Sequence, residues 1–111
     1  MSAATVFALV RTDMALADQI VQLGHACLEA GRRFAWPNEP VTLVVCGAAS
    51  AMELSDVLEE ARLQAIEAAT FNEPDRDLGL TALCTEPIDH RGARCFRGLT
   101  LWRPPAPGPA G

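Results

Sequence analysis

The chain has 111 residues, half of them apolar, and a formal net charge of −5. That length suits one core and is short for two domains. The acidic balance argues against nonspecific DNA or RNA binding, which rests on cationic contacts to phosphate. All nine basic residues are arginine and none is lysine, which favours forked, bidentate contacts over point charges. No stretch approaches the roughly 18 apolar residues of a membrane span. The N-terminus lacks the charged and apolar regions of a signal peptide. The four cysteines, at 27, 46, 84 and 95, make no C-x-x-C pair, and most sit in apolar contexts. They read as small core residues of a cytoplasmic protein rather than as metal ligands or a redox dithiol.

Ala4 to Val10 is a continuous apolar run that ends at Arg11-Thr12-Asp13. Its continuity predicts a central strand covered on both faces. A helix is expected from about Asp18, a plausible N-cap, to about Phe34. Its apolar stripe would be Ile20, Leu23 or Gly24, Cys27, Gly31 and Phe34, with the glycines close to the sheet. Val41 to Cys46, rich in β-branched residues, reads as a second strand. Ser50-Ala-Met-Glu53 has the form of a capping box. The helix behind it turns Leu54, Val57, Leu58 and Ala61 inward.

Ala65 to Phe71 suits either an extension of that helix or a strand. The segment 72–79 is a loop by composition, and Leu80 to Thr85 a strand. Ile88 to Gly98 reads as a short helix or turn, and Leu99 to Trp102 as an extended piece. The domain is thus expected to span 1–103. The Pro/Gly-rich 104–111 is expected to be a flexible tail. The order β-α-β-α with later strands predicts an α/β fold whose first strands are parallel.

Three groups of residues suit chemistry. Gln22 and His25 stand three apart on one helix face, where His25 is a candidate acid or base. The plainer reading pairs His25 with Glu29 one turn on. The loop Glu73-Pro-Asp75-Arg76-Asp77, followed by Thr81, could supply a general base and a water-orienting hydroxyl, or be a solvated acidic turn. Its carboxylates also suit a hard cation, although the D-x-D spacing is weak evidence. Arg11 and Asp13 stand at the carboxyl end of strand one, where ligands favour open α/β sheets. A local ion pair is the alternative. His90, Arg91, Arg94 and Arg97 form a late basic cluster.

Together these motifs resemble the type-2 peptidyl-tRNA hydrolases. The matching elements are Val10-Arg11-Thr12-Asp13-Met14, Gln22-x-x-His25-Ala26, and Leu80-Thr81-Ala82-Leu83 leading to Pro87. The resemblance spans about Thr5 to Trp102. It implies a mixed four-stranded sheet with helices on both faces, in a homodimer. It therefore favours a strand at Ala65–Phe71. It implies cleavage of the ester joining a peptide to the terminal ribose of tRNA, with no metal or other cofactor. The implied catalytic set is Asp77 or Asp75, with Thr81 and His25. Gln22, Arg11 and Asp13 are implied to contact the substrate. The family also has a lysine at the start of the first helix. Its place here falls at Asp18.

Overall fold

The structure, a computed structural model, describes residues 4–74 and 76–104. Four strands and two helices alternate through most of the chain: β1 (Thr5–Arg11), α1 (Leu16–Arg33), β2 (Thr42–Ala48), α2 (Ala51–Leu63), β3 (Ala68–Glu73) and β4 (Gly79–Thr85). A 3₁₀ turn follows at Gly92–Phe96. The sheet order is β2-β1-β4-β3. β1 runs parallel to β2 and antiparallel to β4, and β3 runs antiparallel to β4. The segment 65–71 therefore divides: its start closes α2 and its end is strand. The expected tail begins at Pro104, and 105–111 lie outside the described residues.

β1 is central, and six of its seven residues are buried. Alternation sends Phe7 and Leu9 to one face and Val6, Ala8 and Val10 to the other. The first face is covered by α2 through Leu54 and Ala61, with Ile66, Leu83, Ile88 and Phe96. It holds the bulk, including Phe7 and Phe96 stacked with ring centroids 4.6 Å apart. The second face is covered by α1 and is built from small residues. Ala26 and Ala30 of the helix meet Ala8, Ala69 and Ala82 of the sheet. Helices thus lie on both faces, and the alanine-rich composition serves a close helix–sheet approach.

Helix α1 corrects two expectations. It starts at Leu16, its N-cap is Ala15 without a side-chain cap, and Asp18 lies inside the first turn. Its fully buried residues are Gln19, Gln22, Ala26 and Ala30. Leu23, Cys27 and Phe34 flank them as expected, whereas Ile20 is 61% exposed. Gly24 and Gly31 have nothing within 4 Å of where a Cβ would stand, so neither helps the helix approach the sheet. Two buried glutamines hold positions that a count of apolar residues overlooks.

Helix α2 follows expectation more closely. Ser50 Oγ accepts from the Glu53 amide at 3.1 Å, and the Glu53 carboxylate accepts from the Ala49 amide, one residue outside the ideal box. At the other end, the Ala65 amide donates to the Arg62 carbonyl and the Ile66 amide to Ala61. This is a Schellman closure, and it puts Ala65 at φ 59°, a left-handed conformation that favours glycine. The Leu99–Trp102 piece runs beside edge strand β2. The Gly47 amide donates to the Thr100 carbonyl and the Trp102 amide to Val45, both at 2.9 Å. Part of the open edge is thereby covered.

Two substitutions test this packing by chemical denaturation. Ala65→Gly removes the left-handed penalty and is expected to raise unfolding stability by about 0.5–1 kcal/mol after the added flexibility of the unfolded chain. Leu54→Ala, at a fully buried site, is expected to lower it by about 2–5 kcal/mol.

Candidate functional site

The register of β3 against β4 breaks once. Phe71 pairs with Ala82, but Asn72 pairs with Leu80. Thr81 is the extra residue, so β4 carries a β-bulge there. Regular alternation would turn Thr81 toward α2 with Leu83. The bulge turns it toward α1 instead. Its hydroxyl lies 2.7 Å from Gln22 Oε1 and 3.1 Å from the Phe71 carbonyl. Gln22 Nε2 in turn donates to the Glu73 carboxylate. Thr81 is 0% and Gln22 1% exposed. Among the described residues, no buried side-chain polar atom lacks a partner, as the high cost of an unmet buried group requires.

Three ties hold the β3–β4 loop. Gln22 to Glu73 is the first. The second is an ion pair between Asp18, in the first turn of α1, and Arg76, whose guanidinium spans both carboxylate oxygens at 2.8 and 3.1 Å. That hydrogen bond holds the Asp18 carboxyl below its ordinary range. The third is Arg11. Its fork binds Asp13 at 2.9 Å twice, and its remaining nitrogen reaches the Leu78 and Leu80 carbonyls. Arg11 and Asp13 therefore clamp the end of β1 to the loop. Asp77, exposed at the loop tip, is held at φ 51°, a conformation Asp tolerates. Asp75 lies outside the described residues.

His25 is exposed and does not pair with Glu29, which binds Arg32. Its ring stacks on Phe71 at 4.4 Å between centroids and 8° between planes. Arg11, Asp13, Gln22, His25, Asp77 and Thr81 thus gather at one end of the sheet, linked through the loop, β3 and the first half of α1. The late basic cluster does not join them. Ile88, just before it, bridges Thr5 at the opposite end of β1 from Arg11.

Several residues here escaped the sequence reading. Gln19 Nε2 donates to the Met14 carbonyl at 2.8 Å, and its Oε1 accepts from Trp102 Nε1 at 2.8 Å. It joins the β1–α1 loop, the helix and the C-terminal segment. Glu73, Arg76 and Asp18 were each noted, but not the bond of Glu73 to Gln22 or the pairing of Asp18 with Arg76. A cavity of about 560 Å³ opens on the α2 side, between Thr12, Ala48, Glu53, Val57, Leu99 and Trp102. None of the six gathered residues lines it. Among the described residues, no group of three His, Cys, Asp or Glu could hold a metal ion. Burial pushes the Cys46 and Cys95 thiols up, and the Cys27 thiol beside Cys84 pushes that one up. Cys46, Cys84 and Cys95 are neutral packing residues.

Two measurements test the ties. Thr81→Val keeps the side-chain shape but strands the buried Gln22 oxygen, and is expected to lower stability by about 1–3 kcal/mol. Arg11 holds the Asp13 carboxyl below its ordinary range by direct hydrogen bonds. That pairing contributes stability above the ordinary carboxylate range and is lost as pH falls through the depressed folded value. Asp13→Asn should therefore lose less stability than wild type between neutral and acid pH in pH-stepped denaturation. Asp13 is partly exposed, so the difference is small and shrinks with added salt.

No protein-family model matches this chain, and no curated protein matches it significantly. Among solved structures, a protein of unknown function from Agrobacterium tumefaciens strain C58 aligns with a TM-score of 0.62. The alignment covers 93% of this chain and 100% of that one, at 11% identity. The likeness is one of fold: a single α/β domain with a mixed four-stranded sheet.

Proposed function

We propose that the chain hydrolyses the ester between a peptide and the 3′ ribose of tRNA, at the surface where the first turns of α1 meet the β3–β4 loop. One observation carries this reading. The resemblance expects a lysine where Asp18 stands, and Asp18 holds the Arg76 guanidinium against that place. The cation stands on the loop instead of the helix, beside the loop aspartates.

The roles follow from the chemistry. An aspartate of the loop, Asp77 or Asp75, deprotonates or orients the attacking water. Arg76 stabilises the negative charge that develops on the ester carbonyl oxygen. Arginine is a poor proton donor, so the carboxyl that took the water's proton returns it to the leaving ribose oxygen. Thr81, buried and bonded to Gln22, fixes the start of β4 behind that carboxylate. The exposed His25 ring, backed by Phe71, offers a stacking face for an unpaired base of the tRNA end.

One observation favours a second reading. Thr81 is fully buried, and its hydroxyl is already engaged. On that reading the domain keeps the fold and binds a partner without turnover.

A peptidyl-tRNA release assay separates the two. The hydrolase reading predicts turnover that falls about 10²–10³-fold in Arg76→Ala, the scale seen when one charge-stabilising group is removed. Arg76→Lys should retain part of it. No release beside an active control enzyme would reject catalysis and leave the binding reading.

A further inference from the structure

The cavity of about 560 Å³ on the α2 side takes no part in the reading above. It opens at the carboxyl ends of the parallel pair β1 and β2, where open α/β sheets place their ligands. Leu9, Gly47 and Ala48 of those strands form its floor. Helix α2 supplies one wall through Glu53, Asp56 and Val57. The segment 98–103 supplies a second wall through Leu99, Trp102 and Arg103.

The backbone at this place is already occupied. The first turn of a helix behind a strand offers free amides that attract phosphates and carboxylates. Here the Glu53 amide donates to Ser50 Oγ, and the Ala49 amide donates to the Glu53 carboxylate. The floor is engaged as well. The Gly47 amide donates to the Thr100 carbonyl, and the Ala48 carbonyl accepts from the Thr12 amide. Recognition of a ligand therefore falls to side chains.

Three of the lining side chains are charged: Glu53, Asp56 and Arg103. Glu53 and Asp56 stand three apart on α2 and share a face. Arg103 belongs to the other wall. All three are exposed. Among the described residues the ion pairs are Arg11–Asp13, Arg32–Glu29 and Arg76–Asp18, so no ion pair ties the walls of the cavity together. Beneath the charges the lining is aliphatic, with Leu9 in the core and Val57 and Leu99 packed against it. A purely anionic ligand would meet two carboxylates, and a purely cationic one would meet Arg103. Charges of both signs over an aliphatic floor fit a molecule with an ammonium at one end, a carboxylate at the other and aliphatic groups between them. At about 30 Å³ per water of liquid, the cavity has the volume of roughly 19 waters. That is large for a single amino acid and suits a peptide of a few residues.

We propose that this cleft binds a short aliphatic peptide with both termini free. Its ammonium lies against Asp56 and Glu53, and its carboxylate on the fork of Arg103, which binds carboxylates bidentately. Its side chains lie over Leu9, Val57 and Leu99. The proposal is independent of the hydrolase reading, because none of the six gathered residues lines this cleft.

Titration of the full chain with leucyl-leucine, followed by amide NMR, tests it. The amides of Gly47, Ala49, Val57 and Leu99 are expected to shift and saturate at millimolar peptide, while those of His25 and Thr81 stay in place. Asp56→Asn and Arg103→Gln should each weaken binding about twofold to fivefold, the worth of one partly exposed ion pair. Both side chains are exposed, so the far-UV circular dichroism spectrum should not change. Capping the peptide reads the pairing. Leucyl-leucine amide should bind Arg103→Gln as well as it binds wild type, and N-acetyl-leucyl-leucine should bind Asp56→Asn as well as it binds wild type. The absence of saturable shifts around the cleft, or shifts centred on His25 and Thr81 instead, would overturn the proposal. Capped peptides that bind wild type as tightly as the free one would also overturn it.

Discussion

The hydrogen bond between Thr81 and Gln22 organises the end of the sheet where the candidate residues gather. It exists because β4 carries one residue too many opposite Phe71. Without that bulge the Thr81 side chain would face α2, and the Gln22 amide would be buried on an alanine-rich face with its oxygen unmet. With it, α1, β4 and β3 are joined through Gln22, Thr81, Glu73 and the Phe71 carbonyl. Buried polar groups so joined fix one arrangement, because each alternative leaves a desolvated donor or acceptor. The loop that follows β3 is then held from three sides, and Arg76 is aimed at the start of α1.

Helix α1 departs from the usual amphipathic pattern. Part of its buried face is glutamine, and Ile20, Val21 and Leu28 stand exposed beside His25, Arg32 and Arg33. The buried glutamines have a physical reason. Gln19 and Gln22 are the right length to reach the Met14 carbonyl, Trp102, Thr81 and Glu73.

Much of the architecture was legible in the residues. The unbroken run at the start of β1 announced a strand covered twice, and Ser50 with Glu53 announced the start of α2. Leu80 to Thr85 was read as a strand and is one, whereas Ala65 to Phe71 stayed open between helix and strand, and only the resemblance favoured the strand now seen at Ala68–Glu73. The phase of α1 did not, because an apolar count points to Ile20, Gly24 and Gly31. The spacing of Gln19, Gln22, Ala26 and Ala30 is just as helical, but a buried glutamine declares itself only when its partners are known. The bulge was equally hidden, since register depends on a second strand. Arg11 and Asp13 were marked at the right place, and the structure binds them to each other and to the loop. The pairing of Asp18 with Arg76 needed the fold, because the two lie 58 residues apart.

The Gln22–Thr81 contact is the tie on which the site depends. A double-mutant cycle measures that contact directly, using Gln22→Leu, Thr81→Val and the pair in equilibrium denaturation. The expected coupling energy is about 1 kcal/mol, with the double variant less destabilised than the two single losses added together. Losses that simply add would mean that the two side chains do not interact, and would contradict the account.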